Sequence, residues 1–259
     1  MIPAELIGSI PRTPELLAEL SDFENGRLDG AAFAEAQGRA TRETIERLEA
    51  TGSPVVTDGE QAKPSFLTYP VEGLSDLADD GVVIPFADGH TRQLPRLTSG
   101  PFRGLNNKVL SRFTAAERAR IGAYSGPGAD QDSAHSLDVD YAELLPRLFK
   151  LTVGDFYLQL ASEPDRAHVL AAIAEQLRPG IRVFVGVTDP LDPRVETVQE
   201  VRDRVLEAAR HIPLEQLGTC DDAGFAPFAD DTSTSRDVAF AKIRARVEGT
   251  ALAVQELGA

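Results

Sequence analysis

The stretch "RVFVGVTDPLDPRVETVQEVRDRVLEAARHIPLEQLGTCDD", residues 182–222, contains a strand, a helix and a second strand in one continuous segment. The opening run, RVFVGVT, is rich in β-branched residues and ends in polar ones, which predicts a buried strand. The middle part opens with proline and acidic residues in its first turn, where the helix dipole favours negative charge. The closing run, QLGTCDD, predicts the next strand. The stretch therefore predicts two parallel strands joined by a helical crossover.

The same alternation recurs along the chain. Further strand-like runs lie at residues 7–10, 54–60, 94–100, 120–126 and 155–163, and helical spacing fills most of the gaps between them. Seven such runs predict an α/β fold, a TIM-like (β/α) barrel that is about one βα unit short of eight. Its length of 259 residues suits one barrel, so we expect a single domain over 1–259.

One region departs from the alternation. Residues 81–97, "GVVIPFADGHTRQLPRL", alternate apolar and polar positions around a central "ADGH". This pattern predicts a β-hairpin insertion near residues 80–98.

Composition limits the classes of partner. The net charge of -15 disfavours nucleic acid and anionic membrane surfaces, because binding to phosphate needs clustered cations. No secretory leader and no long apolar run is visible, so we expect a cytoplasmic protein that binds a small molecule and no membrane. One cysteine and four scattered histidines do not make a cysteine-rich zinc module or an H-E-x-x-H site.

In a barrel the chemistry lies at the carboxyl ends of the strands, so the polar residues that close each run are the first candidates. Carboxylates that share one mouth raise each other's pKa, which can separate a general acid from a general base. For Asp189 and Asp222 an alternative stays open, a solvated loop residue or a helix cap. The candidates are Ser9, Arg12, Asp58, Glu60, Tyr124, Ser125, Gln159, Glu163, Asp189, Asp221 and Asp222.

Five segments together resemble one family, the catalytic barrel of cobalamin-independent methionine synthase and its single-barrel relatives. They are "ELIGSIPRT" (5–13), "VVTDGEQ" (55–61), "FVGVTDPLDPRVETVQEVRDRV" (184–205), "IPLEQLGTCDDAGF" (212–225) and "RDVAFAKIRARVEGT" (236–250). The resemblance implies a TIM barrel that transfers a methyl group from a folate to a thiol, such as homocysteine, held on zinc. It also implies that Ile7, Gly8, Ser9 and Glu60 hold the amino-acid part of homocysteine.

The departures from the family concern the metal. The family's zinc ligands are a His-x-Cys pair, a glutamate and a final cysteine, and their positions fall here on Tyr124, Gly126, Glu163 and Ala223, with Gln159 as the competitor for the glutamate. Zinc needs about four ligands, so the resemblance implies a site that has lost its metal. Cys220 cannot simply replace the missing cysteine, because three extended residues span about 10 Å and the odd offset points to the opposite face. We expect it to be a packed, small apolar residue.

A second departure is one of length. The segment "TSGPFR" (98–103) runs directly into "GLNNKVLSRF" (104–113), where the family has a further strand and helix. The barrel would then close with seven strands, stay open, or be completed by residues 71–100 or a second subunit. Exposed edges of a sheet invite pairing, so we expect a homo-oligomer. Whether the missing unit is natural or engineered stays open.

Three functions remain at this stage. The first is a zinc-free enzyme without a cofactor that acts on a small amino-acid-like or acidic substrate by Asp/Glu/Tyr acid-base chemistry. The second is zinc-dependent methyl transfer from methyltetrahydrofolate to a thiol such as homocysteine. The third is a non-catalytic or engineered scaffold version of the barrel. For the first, the predicted catalytic residues are Glu60, Tyr124, Glu163 and Asp221, and the predicted substrate-binding residues are Ile7, Gly8, Ser9, Arg12, Asp58 and Asp189.

Overall fold

A computed structural model describes residues 1–65, 77–78, 83–85, 91–93, 96–97, 122–125 and 141–258. The helices are α1 (Pro14–Glu24), α2 (Gly30–Glu49), α3 (Tyr141–Leu148), α4 (Arg166–Gln176), α5 (Val198–Ala208) and α6 (Arg236–Leu257). The strands are β1 (Leu77–Ala78), β2 (Val83–Pro85), β3 (Thr91–Gln93), β4 (Arg96–Leu97), β5 (Gly122–Ser125), β6 (Asp155–Leu158), β7 (Arg182–Thr188) and β8 (Leu217–Asp221).

The main sheet is parallel, with the strand order β5-β6-β7-β8. The chain's N-terminal segment lies beside β8, where Ala4 and Thr219 form a parallel bridge. The Glu5 N–H donates to the Thr219 carbonyl at 2.9 Å, and the Thr219 N–H donates to the Pro3 carbonyl at 2.9 Å. Strands alternating with helices in a parallel sheet confirm the α/β class. They also place the start of the chain next to its last strand, as in a barrel.

The first two strands were predicted at the wrong positions. The N-terminal pairing is at residues 3–5 instead of 7–10, and residues 54–60 form no strand but an irregular segment that ends in a turn. Residues 8–10 leave the ladder because their backbone bonds two loops instead: Ser9 accepts from the Phe225 N–H, and Ile10 donates to the Gly59 carbonyl. The apolar pattern at residues 7–10 is that of a strand, but the backbone groups there are satisfied by hydrogen bonds to loops and not by a neighbouring strand.

The hairpin near residues 80–98 is confirmed by its pairing. Val83–Pro85 pairs antiparallel with Thr91–Gln93, and Leu77–Ala78 pairs antiparallel with Arg96–Leu97 outside it.

The main core lies between the sheet and helices α3 to α6. Phe156 and Leu158 of β6 and Val183, Val185 and Val187 of β7 are fully buried in it. Asp155 and Tyr157 alternate with these residues and occupy the opposite face of the sheet. That face is the inner face of the predicted barrel.

The described residues show a parallel sheet of a barrel-like fold and not a closed barrel. Residues 98–121 and 126–140 lie outside the described part, so the missing βα unit, the mode of closure and the single domain remain predictions. Within the described part, none of the helices is sufficiently long and apolar to cross a membrane.

Candidate functional site

The turn at residues 58–60 holds Glu60 in an unusual backbone conformation. The Asp58 carboxylate accepts from the Glu60 N–H at 2.9 Å, and Gly59 and Glu60 have φ values of 62° and 57°. Left-handed geometry is free for glycine and costly for glutamate, and such strain clusters at functional sites. Asp58 is exposed and acts here as a turn former, and its predicted contact with substrate remains a prediction.

Gly8 lies against the Glu60 carboxylate. A Cβ at position 8 would come within 2.8 Å of Glu60 Oε1, so a larger residue there would displace the carboxylate. The Lys63 Nζ lies 3.6 Å from the same oxygen, and the Glu60 side chain retains 20% of its exposure. The structure therefore brings together two residues that the sequence predicted to share a site. Ile7, the residue before Gly8, is half-buried.

Ser9 docks the loop that follows β8. Its Oγ accepts from the Ala226 N–H at 3.2 Å, and its carbonyl accepts from the Phe225 N–H at 2.9 Å. A Cβ on Gly224 would lie 2.0 Å from the Ser9 Oγ, so the close approach requires glycine there. Ser9 is buried and joins the first loop to the Ala223–Gly224 turn.

Arg12 connects the turn that contains Glu60 to the loop that follows β8. It donates to the carbonyls of Glu60 at 2.6 Å and Lys63 at 2.8 Å, and also to the Ala226 carbonyl at 3.2 Å. Burial lowers the pKa of its guanidinium to about 10. These contacts assign Arg12 a positioning role for the Glu60 turn, and its predicted contact with substrate stays a prediction.

Asp222 is buried and joins the ends of β8 and β6. It accepts from the backbone N–H groups of Leu160, Ala161 and Ser162, each at 2.8 Å, and from the Ser162 hydroxyl at 2.9 Å. Burial nevertheless raises its pKa to about 6. It is therefore not a solvated loop residue, because its carboxylate caps the turn at 160–162.

Gly186 of β7 makes the room for this carboxylate. A Cβ on Gly186 would lie only 1.7 Å from Asp222 Oδ1, closer than two atoms can approach without a bond. The position of the Asp222 carboxylate, directly after β8, therefore depends on glycine at position 186 of β7.

Glu163 directly follows the turn that Asp222 holds. It is half-buried, and its N–H donates to the Leu160 carbonyl at 3.3 Å. Its competitor Gln159 donates to the Ser162 Oγ at 2.8 Å. Both lie at the carboxyl end of β6, so the structure leaves the choice between them open. Tyr124 lies on β5 in register with Tyr157, and Gly126 lies outside the described residues.

Asp221 lies on the helix side of β8. Its Oδ1 accepts from the Thr188 hydroxyl at 2.6 Å and its Oδ2 pairs with Arg246 of α6. Thr219, two residues earlier on β8, likewise contacts α6, through Thr250 at 2.9 Å. Burial raises the pKa of Asp221, while Arg246 lowers it. The structure separates Asp221 from the inner face, and its catalytic role stays a prediction.

Asp189 joins the same polar region at the end of β7. Its N–H donates to Glu196 Oε1 at 2.8 Å, and its Oδ1 accepts from the Leu191 N–H at 2.8 Å. Burial raises the pKa of its half-buried carboxyl group. Glu196 in turn pairs with Lys242 of α6 at 2.9 Å, and both side chains are almost completely buried.

Sequence reasoning missed several of these residues. Lys242 and Arg246 stand one helical turn apart on the buried face of α6, and that spacing beside apolar Ala239 and Ile243 is a signal that could have found them. No comparable pattern in the sequence indicates Tyr157, whose hydroxyl donates to Glu5 at 2.6 Å on the inner face of the sheet. Burial raises the pKa of that hydroxyl.

At the positions where the sequence resemblance places the zinc ligands, the side chains do not suit a zinc ion. Ala223 is buried and offers only a methyl group, and Gly126 has no side-chain donor at all. Across the described ranges, no group of three or more His, Cys, Asp or Glu side chains could hold a metal ion. Cys220 is fully buried, as expected of a packed apolar residue, and burial raises its thiol pKa well above the ordinary value.

The fold of this chain is similar to that of solved B12-independent methionine synthases. A B12-independent methionine synthase from Shewanella sp. W3-18-1, solved in complex with selenomethionine, superposes with a TM-score of 0.69 and 16% identity over 99% of each chain. A putative vitamin-B12-independent methionine synthase from Listeria monocytogenes gives 0.62 and 14%, over 97% of this chain and 99% of its own.

One characterised protein is also similar to this chain in sequence. The 5-methyltetrahydropteroyltriglutamate–homocysteine methyltransferase of Streptomyces coelicolor is 34% identical over 74 residues, which are 29% of this chain and 10% of that protein. The chain thus matches about a tenth of the length of that relative. No protein-family model matches. The resemblance predicted from the sequence is confirmed: this chain is a methionine-synthase-like protein in its fold.

Proposed function

We propose that this chain binds the amino-acid part of a small substrate beside Gly8 and Glu60, without zinc, and acts on it by acid-base chemistry. The observation that carries the proposal is the Glu60 turn, in which a carboxylate is held by strained backbone against a glycine. A partly exposed carboxylate so placed suits an ammonium group. Strain of this kind persists where a function requires the side chain.

The choice of ligand follows from the relatives. The Shewanella protein was solved with selenomethionine, and the Streptomyces relative is named for homocysteine. Both compounds carry the same α-amino acid group and differ in the sulfur or selenium end. We therefore propose methionine, selenomethionine or homocysteine as the first ligands to test.

The experiment is thermal stabilisation of the whole chain by these three amino acids. A ligand at 100 times its dissociation constant stabilises the folded state by about 2.7 kcal/mol, so saturable binding is readily seen. Glu60→Gln should abolish the stabilisation, because it removes the charge that pairs with the ammonium group. Glu175→Gln, an exposed glutamate on α4, should leave it unchanged. Equal stabilisation of Glu60→Gln and the parent chain would refute this site.

The acid-base part of the proposal requires its own experiment. Once a substrate that turns over is identified, alanine at Glu60 or at Tyr124 should reduce kcat by about 10²–10⁴-fold if either is a general acid or base. Unchanged turnover in both variants would exclude this chemistry and leave the binding proposal intact.

Zinc-dependent methyl transfer is the second candidate, since the Streptomyces relative is named as a homocysteine methyltransferase. Measuring the zinc content of the purified protein distinguishes the zinc-free function from zinc-dependent methyl transfer. We expect far less than one zinc per chain, because alanine and glycine occupy two of the ligand positions. Near-stoichiometric zinc would favour methyl transfer. A chain that is indifferent to every amino acid and folate would favour the scaffold alternative.

A further inference from the structure

A cavity lies between α1, α2, the turn at 61–64 and the loop at 229–230. Lys63 lines it and also pairs with the Glu60 carboxylate at 3.6 Å. The volume of the cavity is about 340 Å³, which is within the range of sites for small molecules. Gln37 of α2 donates to the Ala62 carbonyl at 3.4 Å and fastens the helix to the turn on one side. Glu60 itself does not line the cavity.

One wall of the cavity is aromatic. The rings of Phe23 and Phe33 stack at a centroid distance of 4.7 Å with an interplanar angle of 8°, and both line the cavity with Leu16 and Leu20. Phe23 keeps 41% of its exposure, so this apolar surface is left in contact with solvent. Covering it with a flat ring would gain hydrophobic energy and a third stacking partner.

The polar lining carries both signs of charge. Arg12 and Lys63 supply two cations, and the Nε of Arg12 is buried without a hydrogen-bond acceptor in the described part of the chain. Glu24 and Asp230 supply two carboxylates. A dianion such as phosphate would be repelled by these carboxylates, whereas a ligand that carries one positive and one negative group matches the lining.

We propose that this cavity is a binding site for an aromatic α-amino acid. Its ring packs on Phe23 and Phe33. Its carboxylate lies towards Arg12 and Lys63, and its ammonium group lies towards Glu24 and Asp230. The cavity adjoins the Glu60 site, because Arg12 and Lys63 line it and also contact Glu60. Its aromatic wall and Glu24 come from the α1–α2 pair, and the proposal rests on these side chains.

The probes are L-phenylalanine and L-tryptophan, measured on the whole chain by isothermal titration calorimetry. Each should bind saturably, and 3-phenylpropionate and phenethylamine, which lack one charge each, should bind about tenfold more weakly. Phe23→Leu, an exposed change that keeps a smaller apolar side chain, should weaken binding by about two- to tenfold through loss of the ring contact. Equal affinities for the amino acids, 3-phenylpropionate and phenethylamine would overturn the proposal. So would the absence of binding by both phenylalanine and tryptophan.

Matched variants separate this cavity from the Glu60 site. Glu24→Gln should reduce the preference for phenylalanine over 3-phenylpropionate, and Glu35→Gln, exposed on α2 and outside the lining, should not. Phe23→Leu should weaken binding of phenylalanine and leave the stabilisation by methionine unchanged, because Phe23 lines this cavity and Glu60 does not. Equal weakening of both ligands in Phe23→Leu would mean one shared site and would contradict the proposal.

Discussion

Glu60 has a positive φ that no other described non-glycine residue shares. Its left-handed backbone is set by the Asp58 carboxylate and by Arg12, which holds the Glu60 carbonyl. The sequence predicted the residue through its "DGEQ" motif, but the strain that makes it conspicuous depends on the fold.

We predict that Glu60→Gly increases stability while it removes amino-acid binding. Glycine adopts φ near 57° freely, so the free energy of unfolding should rise by up to about 1 kcal/mol. Denaturant unfolding measures the change in stability, and thermal stabilisation by methionine, selenomethionine or homocysteine measures the loss of amino-acid binding. A variant that is less stable than the parent chain would show that the turn stores no strain.

Asp222 predicts a specific dependence on pH. Its folded-state pKa of about 6 lies above the ordinary value of 3.8, so the folded state binds the proton more tightly than the unfolded state. Its contribution to stability is therefore complete below about pH 4 and is lost as pH rises through 6, a change of up to about 3 kcal/mol.

The test compares the parent chain with Asp222→Asn in denaturant titrations from pH 4 to pH 8. The stability of the parent relative to the variant should fall between pH 4 and pH 6 and be constant above about pH 7. A difference that does not change with pH would mean that Asp222 has an ordinary pKa.

At the scale of the elements, α6 carries two cations into the core. Lys242 and Arg246 have fully buried side chains that pair with Glu196 and Asp221, which follow β7 and end β8. Buried pairs cost desolvation energy, so they add little net stability, but loss of one partner leaves an uncompensated charge. The two pairs fix where α6 crosses the strand ends.

We predict that Arg246→Met destabilises the chain by about 3–5 kcal/mol, because Asp221 then remains buried without its cation. Asp221→Asn added to Arg246→Met should recover part of that loss. Arg244→Met, an exposed arginine on the same helix, is the control and should change stability by less than about 0.5 kcal/mol. If the changes in the free energy of unfolding of Arg246→Met and Asp221→Asn add up to that of the double variant, Asp221 and Arg246 are not coupled.

The helix α5 shows how far element prediction from sequence extends. The sequence predicted a helix within residues 195–213, and the structure starts it at Val198, where Thr197 and Glu200 form a capping box. Local side-chain chemistry of this kind can be read from sequence. The N-terminal strand could not be placed in the same way, because a short apolar run takes its register from its partner, here Thr219.

At the scale of the whole molecule, the oligomeric state is still a prediction. The sequence predicts a homo-oligomer, because the short barrel leaves sheet edges exposed. Sedimentation velocity at about 0.15 M salt should give a mass of at least twice 27.9 kDa. A single species at the monomer mass at micromolar concentration would contradict this prediction.

The sequence by itself determined the α/β class, the parallel crossover at 182–222, the hairpin and the family resemblance. Each of these depends on local periodicity, turn chemistry or short motifs, and such signals are contained in neighbouring residues. It also identified Gly8 and Glu60 as a pair through the resemblance. Tertiary structure alone decided that Asp222 caps β6 through the space left by Gly186 and that Asp221 faces α6. These outcomes depend on which face of a strand meets which neighbour, and hydrogen bonds between distant segments settle that only when the chain folds.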